Sequence, residues 1–370
     1  MSRARMKLCF VGLDAWPVLS AQKDVQFIGG EPVQHVLLAR AWRDLGLDIS
    51  ILVYDHGQPR DTVVDGIRAI ATYRRDAGVP VLRFIHPRMT AVIAAMHRAD
   101  ADIYYQSPAG VETGYAAWFC RQFHRKLICR IASDANCIPG AQLIKYWRDR
   151  KLFEYGMRNS HLIAAQTVHQ QNLLQSNYGL ASELINMAAE TGNTLPPEKK
   201  DIDVLWVSNF RQVKRPEVAL QIARQLPQFR FSIAGGALPG LESYYERLVA
   251  EARAIPNVTV HGAVPYQDVG GLFERARVFL NTSTVEGFPN TFLQSWMRSV
   301  PVVSTFDPDG LIARETLGIH CTEAGKLPAA LTRLLPASDE LRSMGAVAQA
   351  FATQHYSAQA VAQRYLDLLR

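Results

Sequence analysis

The sequence predicts an α/β protein with two domains, each built around a parallel β-sheet. The chain has 370 residues, which is more than one hydrophobic core usually organises. Short apolar runs rich in β-branched residues alternate with stretches of helical spacing, and such runs are typical of strands buried on both faces of a parallel sheet. One segment, residues 189–203, interrupts this alternation with two prolines, a glycine and clustered charges. It is interpreted as an interdomain linker.

The predicted strands lie on both sides of this linker, and helices between them imply right-handed crossovers. The strands cover residues 7–13, 49–55, 67–73, 102–106, 127–132, 162–166, 203–208, 229–234, 258–262, 278–281 and 300–304. We therefore expect an N-terminal domain over 1–190 and a C-terminal domain over 191–355. Residues 356–370 have the spacing of a helix that could pack back across the domains.

Composition and charge exclude several classes of protein. No apolar run approaches the roughly 18–20 residues of a membrane-spanning helix, and the basic start leads into a strand rather than a signal peptide. The five cysteines form no CxxC pair, so a disulfide framework or cysteine zinc site is not expected and a reducing cytoplasm fits. The net charge of +6 is concentrated in the first half, which could favour an anionic membrane surface or a phosphate-bearing acceptor, or could arise by chance. Dinucleotide-binding, P-loop, HExxH and GxSxG motifs are absent.

The most informative stretch is residues 281–304, NTSTVEGFPNTFLQSWMRSVPVVS. A turn follows a predicted strand, and a helix is expected to begin at Asn290 or Thr291, because proline followed by such residues is typical of helix starts. The free N–H groups at a helix start bind phosphate well. Glu286 precedes this helix and Gln294 lies about one turn inside it, so both can face a ligand lying across the helix start. A diphosphate that bears sugars on both ends would match this layout.

The spacing Glu286-x7-Gln294, with GFPN between and VPVVS after, resembles the E-x7-E signature of the retaining glycosyltransferases of family 4. That family has the GT-B fold, in which two Rossmann-like domains flank a cleft. The resemblance implies that Glu286 contacts the donor sugar and that position 294 holds the nucleotide ribose. This sequence departs from the signature at Gln294, whose amide can still bond a ribose diol.

Residues 206–217, WVSNFRQVKRPE, resemble the family's strand-end loop, in which an arginine and a lysine embrace the donor diphosphate. Lys214 falls at the lysine position. The arginine position aligns nearer Asn209, and Arg211 lies two residues further on. Two cations beside a leaving diphosphate would neutralise the charge that develops as the glycosidic bond breaks.

Two stretches in the first half also match. Residues 27–35, FIGGEPVQH, resemble the family's GG loop, where Gly29 and Gly30 open the cleft beside the diphosphate. Asp134 ends a strand in a region that faces the donor sugar in the family. Its carboxylate could accept the proton of the acceptor hydroxyl or stabilise a positively charged sugar. It could instead cap the following helix.

The resemblance thus implies a cytoplasmic retaining glycosyltransferase that uses a UDP-sugar or GDP-sugar in exopolysaccharide or glycoconjugate synthesis. The expected catalytic residues are Glu286, Asp134 and Lys214, and the expected donor-binding residues are Gly29, Gly30, Asn209, Arg211, Lys214, Glu286, Gly287, Phe288, Pro289, Asn290, Thr291 and Gln294. The acceptor would be a sugar, a glycolipid or a small molecule. Two alternatives stay open, a nucleotide-sugar epimerase of the same fold and a non-catalytic, two-lobed sugar-binding protein.

No metal, other cofactor or nucleic-acid partner is expected. The sequence Asp100-Ala101-Asp102 spells the DxD of metal-dependent transferases of another fold, but it joins a helix to a strand and is interpreted as a cap and turn. Residues 142–158 interleave basic and aromatic side chains. This segment predicts either contact with a membrane surface at the inner face or with an acceptor lipid, or a helix packed on its own domain.

Overall fold

The chain folds into two compact units of α/β structure. The computed structural model describes residues 5–22, 30–79 and 82–369. The first unit contains the described residues up to 188 together with 358–369, and the second contains residues 189–357. Each unit is built on one predominantly parallel sheet, so the predicted α/β fold class is confirmed.

The first unit has an eight-stranded sheet in the order β3-β4-β2-β1-β5-β6-β7-β8. Its strands are β1 Lys7–Val11, β2 Asp48–Val53, β3 Asp61–Val64, β4 Ile67–Ala71, β5 Ile103–Gln106, β6 Lys126–Arg130, β7 Leu162–Ala165 and β8 Glu183–Leu184. All neighbours are parallel except β3 and β4. The chain leaves β1 towards β2 and later returns to β5 on the other side of β1, so a topological switch point lies between β1 and β5.

Helices connect these strands. They are α1 Trp16–Leu19, α2 Gly30–Asp44, α3 Thr90–Ala99, α4 Val111–Gln122, α5 Trp147–Arg158 and α6 Val168–Tyr178. Short 3-10 helices cover Leu82–Phe84 and Asp134–Cys137, and a π-helical segment covers Ile85–Met89. Buried apolar side chains fill the space between the sheet and these helices on both faces.

The second unit has a six-stranded parallel sheet in the order β11-β10-β9-β12-β13-β14. Its strands are β9 Ile202–Val207, β10 Phe231–Ala234, β11 Val258–Gly262, β12 Ala276–Asn281, β13 Val302–Ser304 and β14 Gly318–His320. Its helices are α7 Pro216–Gln225, α8 Glu242–Arg253, α9 Tyr266–Arg275, α10 Asn290–Trp296, α11 Leu311–Arg314, α12 Leu327–Leu334 and α13 Ser338–Tyr356, with 3-10 helices at Pro197–Lys199, Gln212–Lys214, Pro308–Gly310 and Ala324–Lys326. The switch point of this sheet lies between β9 and β12, because β10 and β12 flank β9.

The last helix, α14 (Ala358–Leu369), belongs to the first unit. It packs against α2, and its Ala362 carbonyl accepts a hydrogen bond of 2.9 Å from the buried Trp42 indole. The Leu369 carbonyl accepts a second bond, from Lys126 Nζ at 2.7 Å. These contacts hold the end of the chain against the same core as β1 and β6.

All eleven predicted strands occur, and the described residues contain three further strands that were not predicted. β3 is an antiparallel edge strand with partly exposed side chains, so it carries no continuous apolar run. β8 and β14 contain two and three residues, and such short strands exist only through pairing with β7 and β13. In the described part of the chain, no helix is long and apolar enough to cross a membrane.

Candidate functional site

The predicted donor-binding residues of the second unit lie on two loops that flank its switch point and on the first turns of α10. The loop after β9 carries Asn209, Arg211 and Lys214, and the loop after β12 carries Glu286. In open α/β sheets, ligands bind beyond the carboxyl ends of the strands at such a point. The sheet order therefore brings together two motifs that are more than 70 residues apart in sequence.

Lys214 and Glu286 form an ion pair between these two loops, in which Lys214 Nζ contacts Glu286 Oε1. The same carboxylate oxygen accepts a hydrogen bond of 2.6 Å from Ser283 Oγ. The two charged side chains are only 12% and 11% exposed. Burial lowers the pKa of the Lys214 ammonium, and the neighbouring Glu286 carboxylate acts in the opposite direction. The pair thus holds two opposite charges in a site that is largely closed to water.

Backbone contacts fix the position of Lys214. The hydroxyl of Thr282 lies 2.6 Å from the Lys214 carbonyl and accepts a bond of 3.0 Å from the Trp206 indole. Thr284 N donates to the carbonyl of Val213 at 2.9 Å. Because these bonds join the β9 and β12 loops, the lysine and the glutamate are positioned by their backbones as well as by their own contact.

Asn209 and Arg211 belong to the same strand-end loop. The intervening Phe210 is buried, and its ring packs edge-on against Tyr245 at 5.0 Å. Asn209 is partly buried, whereas Arg211 is exposed at the start of the short helix that carries Lys214. The loop is held against the one after β10, because Phe210 N donates to the Gly236 carbonyl at 3.1 Å.

The turn before α10 is anchored by aromatic packing. Phe288 is buried, and its ring centroid lies 5.2 Å from that of Tyr356. Gly287 lies in the bend beside it and is partly buried. The helix begins at Asn290, as predicted, with Pro289 at the N-cap position. The site therefore has a rigid apolar base beneath its polar turn.

The two helix residues predicted to bind the donor, Thr291 and Gln294, are partly buried on α10. The backbone carbonyl of Gln294 accepts a bond of 3.2 Å from Arg298. Its side-chain amide makes no hydrogen bond within the described ranges. An amide that is free of internal partners can bond a ligand without breaking an existing contact.

The predicted residues of the first unit have different surroundings. Gly30 is the exposed first residue of α2, while Gly29 lies outside the described residues. Asp134 accepts a bond of 3.0 Å from Gln170 Nε2, and His169 Nε2 lies 3.9 Å from its other oxygen. Its alternative role as a helix cap is wrong, because Ser133 occupies the N-cap position. The carboxylate of Asp134 is partly exposed and remains a candidate for contact with a substrate.

A buried polar cluster at the switch point of the first unit was not predicted. Glu31, in the first turn of α2, accepts a bond of 2.5 Å from Ser107 Oγ and lies 3.2 Å from Arg130 Nη1. Arg130 ends β6 and is only 2% exposed. Its position at the end of an apolar strand was the sequence signal that could have revealed this cluster, since a buried arginine needs an anionic partner. Only the fold shows that this partner is Glu31.

His35 lies beside this cluster and leads to a prediction about stability. Burial lowers the pKa of its imidazole from 6.5 to about 4. Between pH 4 and 6.5 the unfolded chain binds more protons at this position than the folded one, so stability is fully present above about pH 6.5 and falls towards pH 4. We expect His35 to account for about 3 kcal/mol of this loss. The free energy of unfolding of His35→Gln should lack this component of the pH dependence, whereas the same change at the exposed His161 should retain it; equal slopes for both variants would contradict the prediction.

The acidic and metal-ligating side chains form no cluster suited to a metal in the described part of the chain. Among the described residues, no group of three or more His, Cys, Asp or Glu side chains could hold a metal ion. The DxD-like Asp100 and Asp102 contact Lys7 of β1 and Arg125 before β6, with Asp102 accepting a bond of 3.0 Å from Lys7 N. Asp100 ends α3 with a left-handed backbone and pairs with Arg125. Both residues have a structural role, as expected.

Comparisons with known proteins found solved structures with the same fold and a family whose model matches part of this sequence. Residues 189–312, which include every predicted donor-binding residue of the second unit, match the family described as glycosyl transferases group 1. A sucrose-phosphate synthase from Thermosynechococcus elongatus is similar over 99% of this chain and 98% of its own, with 17% identity and a TM-score of 0.79. Anabaena HepE, solved with UDP and glucose, is similar over 99% of both chains, with 17% identity and a TM-score of 0.75.

The lipopolysaccharide outer core galactosyltransferase WaaB is similar over 98% of this chain and 99% of its own, with 15% identity and a TM-score of 0.59. At such identities the likeness shows the fold alone. A search among curated proteins found no match to the sequence.

Proposed function

We propose that this chain, whose residues 189–312 match the group 1 glycosyl transferases and whose fold is similar to that of GT-B enzymes, is a retaining glycosyltransferase. It transfers a sugar from a nucleoside diphosphate sugar to an acceptor hydroxyl. The observation that carries this proposal is the nearly buried pair of Lys214 and Glu286 across the switch point of the second unit. A cation and a carboxylate placed at the carboxyl ends of β9 and β12 match a ligand with an anionic diphosphate and a polyhydroxyl sugar.

Each side chain has a distinct role in this mechanism. Lys214 and the exposed Arg211 neutralise the negative charge that grows on the diphosphate as the glycosidic bond breaks. Glu286 accepts hydrogen bonds from donor sugar hydroxyls. Because the ammonium of Lys214 has three donors, it can contact a phosphate oxygen while it keeps its bond to Glu286. The acceptor hydroxyl attacks the face that the nucleotide leaves, and the leaving diphosphate assists its deprotonation.

The nucleotide and the biological setting belong to the same proposal. UDP is favoured over GDP because HepE was solved with UDP and glucose. The acceptor is a sugar, a glycolipid or a small molecule, and Asp134 is a candidate base for its hydroxyl. We place the reaction in exopolysaccharide or glycoconjugate synthesis, in the cytoplasm or at the inner face of its membrane.

The stereochemistry of the product tests the mechanism. With a UDP-sugar donor of known anomeric configuration, NMR of the product should show that the new bond keeps this configuration. Inversion would contradict the retaining mechanism. Slow release of UDP without acceptor would separate a transferase from a binding protein, and conversion of the donor into its epimer would identify an epimerase.

Turnover is proposed to need no metal, because Lys214 and Arg211 supply positive charge at the diphosphate. Activity in excess EDTA should equal activity in its absence. Complete loss that only Mg²⁺ or Mn²⁺ restores would contradict this part of the proposal.

Gln294 gives a prediction about the nucleotide side of the donor. If its amide binds the ribose hydroxyls, Gln294→Glu should change the donor KM only modestly, because both side chains offer an acceptor oxygen at the same reach. Gln294→Leu should weaken the binding of UDP and of the UDP-sugar equally, by about 1–3 kcal/mol. Calorimetric titration of both ligands measures this. A loss confined to the UDP-sugar would mean that Gln294 touches the sugar instead.

A further inference from the structure

The loop before α5 and the first residue of that helix expose large apolar side chains to solvent. Leu143 is 91% exposed, Trp147 is 74% exposed, and Tyr146 between them is half-exposed. Scattered exposed apolar residues are common on protein surfaces, but three within five positions form a patch. This patch is the N-terminal part of the segment that the sequence left open between membrane contact and packing on its own domain.

The remainder of the same segment is packed. Phe153 and Met157 are buried, and Gly156 lies so close to α4 that an added Cβ would be 2.4 Å from the Thr113 carbonyl oxygen. The helix that begins at Trp147 is therefore firmly held, and Leu143 and Tyr146 lie in the loop directly before it.

A second exposed apolar segment adjoins the first. Leu82 and Ile85 are both exposed, and the ring of Phe84 between them lies 3.5 Å from the guanidinium carbon of Arg148. This cation–π contact joins the two segments. We call the joined residues 82–89 and 143–151 the α5 surface.

The α5 surface carries most of the charge excess of the chain. Its two segments contain six Lys and Arg residues and one Asp, a net charge of +5, while the whole chain has +6. The single acidic residue, Asp149, is paired with Arg148. Lys145 and Lys151 are both exposed. Positive charge and exposed apolar groups thus occur together in 17 of the 370 residues.

We propose that the α5 surface docks the protein on an anionic lipid bilayer. It specifies which surface makes the membrane contact of the proposed function, and it rests on that function only for the identity of the enzyme. Tyr and Trp rings favour the headgroup level of a bilayer, and a nearly fully exposed leucine suits the hydrocarbon just below. The surrounding lysines and arginines pair with anionic headgroups. Charge complementarity therefore favours an anionic bilayer over an electrically neutral apolar partner.

Vesicle sedimentation of the full-length protein tests this inference. We expect binding to phosphatidylcholine vesicles that contain about 30% phosphatidylglycerol, weaker binding to pure phosphatidylcholine, and release by high salt. The double variant Leu143→Ser with Trp147→Ser should lower the partition coefficient at least tenfold. The double variant Lys145→Gln with Lys151→Gln should lower it for the anionic vesicles only.

Matched variants supply the controls. Trp118 is an exposed tryptophan on α4 of the same unit, outside the α5 surface, so Trp118→Ser should bind like the wild type. Lys199→Gln with Arg253→Gln removes two exposed charges elsewhere and should also bind normally.

Three results would overturn the proposal. The first is that the wild type does not bind vesicles, and the second is that the control variants lose as much vesicle binding as the test variants. The third is a dimer in sedimentation equilibrium that only the Leu143/Trp147 variant abolishes. UDP release measured without vesicles should stay unchanged in every variant. A failure of vesicle binding with UDP release intact would therefore leave the proposed function standing.

Discussion

Replacement of Lys214 by alanine is expected to lower kcat by about a hundredfold to a thousandfold, equivalent to about 3–4 kcal/mol of barrier. The ammonium is held beside Glu286 at the switch point, where it would stabilise the leaving diphosphate in the transition state. Water does not replace it well, because the side chain is almost buried. Steady-state kinetics with saturating UDP-sugar measure the effect.

Variants of the same pair sharpen this test. Glu286→Ala should be similarly severe, because it removes the sugar contact and leaves the Lys214 charge without its partner. In a double-mutant cycle, the effects of the two alanine changes should not add, since the residues are in contact. Lys326→Ala, at an exposed lysine of the same unit, is the control and should be nearly neutral. Near-wild-type kcat in well-folded Lys214→Ala and Glu286→Ala would mean that the site is misplaced.

Gly235→Ala is expected to destabilise the second unit by about 3 kcal/mol or more. Gly235 follows β10 with a φ of +154°, and an added Cβ would lie 1.8 Å from the Ser208 carbonyl oxygen. The obstacle is backbone, so no side-chain rotation relieves it. The β9 loop would have to move, and Asn209 with it.

Thermal unfolding followed by far-UV circular dichroism measures this loss. Gly271→Ala is the matched control, because Gly271 lies within α9 with open space around its Cα. This control should be neutral or slightly stabilising, since alanine favours a helix over glycine by up to about 1 kcal/mol. If Gly235→Ala unfolds at the wild-type temperature, the close approach of the β9 and β10 loops is wrong.

The folding pattern was largely predictable because its signals are local. Each predicted strand, such as Asp203–Ser208, was recognisable as an apolar run, which is typical of a strand buried on both faces of a sheet. The helix start at Asn290 followed equally from the proline and polar residues beside it. β8 and β14 could not be predicted, because two or three residues carry no pattern and pair only when a neighbouring strand is already in place.

The candidate site was likewise predictable only in part from the sequence. The sequence by itself determined the two α/β halves, the turn at Glu286 and the basic loop at Lys214, because each depends on residues adjacent in the chain. Only the tertiary structure decided that these two side chains meet, that Glu31 neutralises Arg130, and that Trp147 stays in solvent while Phe153 is buried. The physical reason is that strand order and helix packing, which act between distant residues, determine which charges share a buried site and which apolar groups remain uncovered.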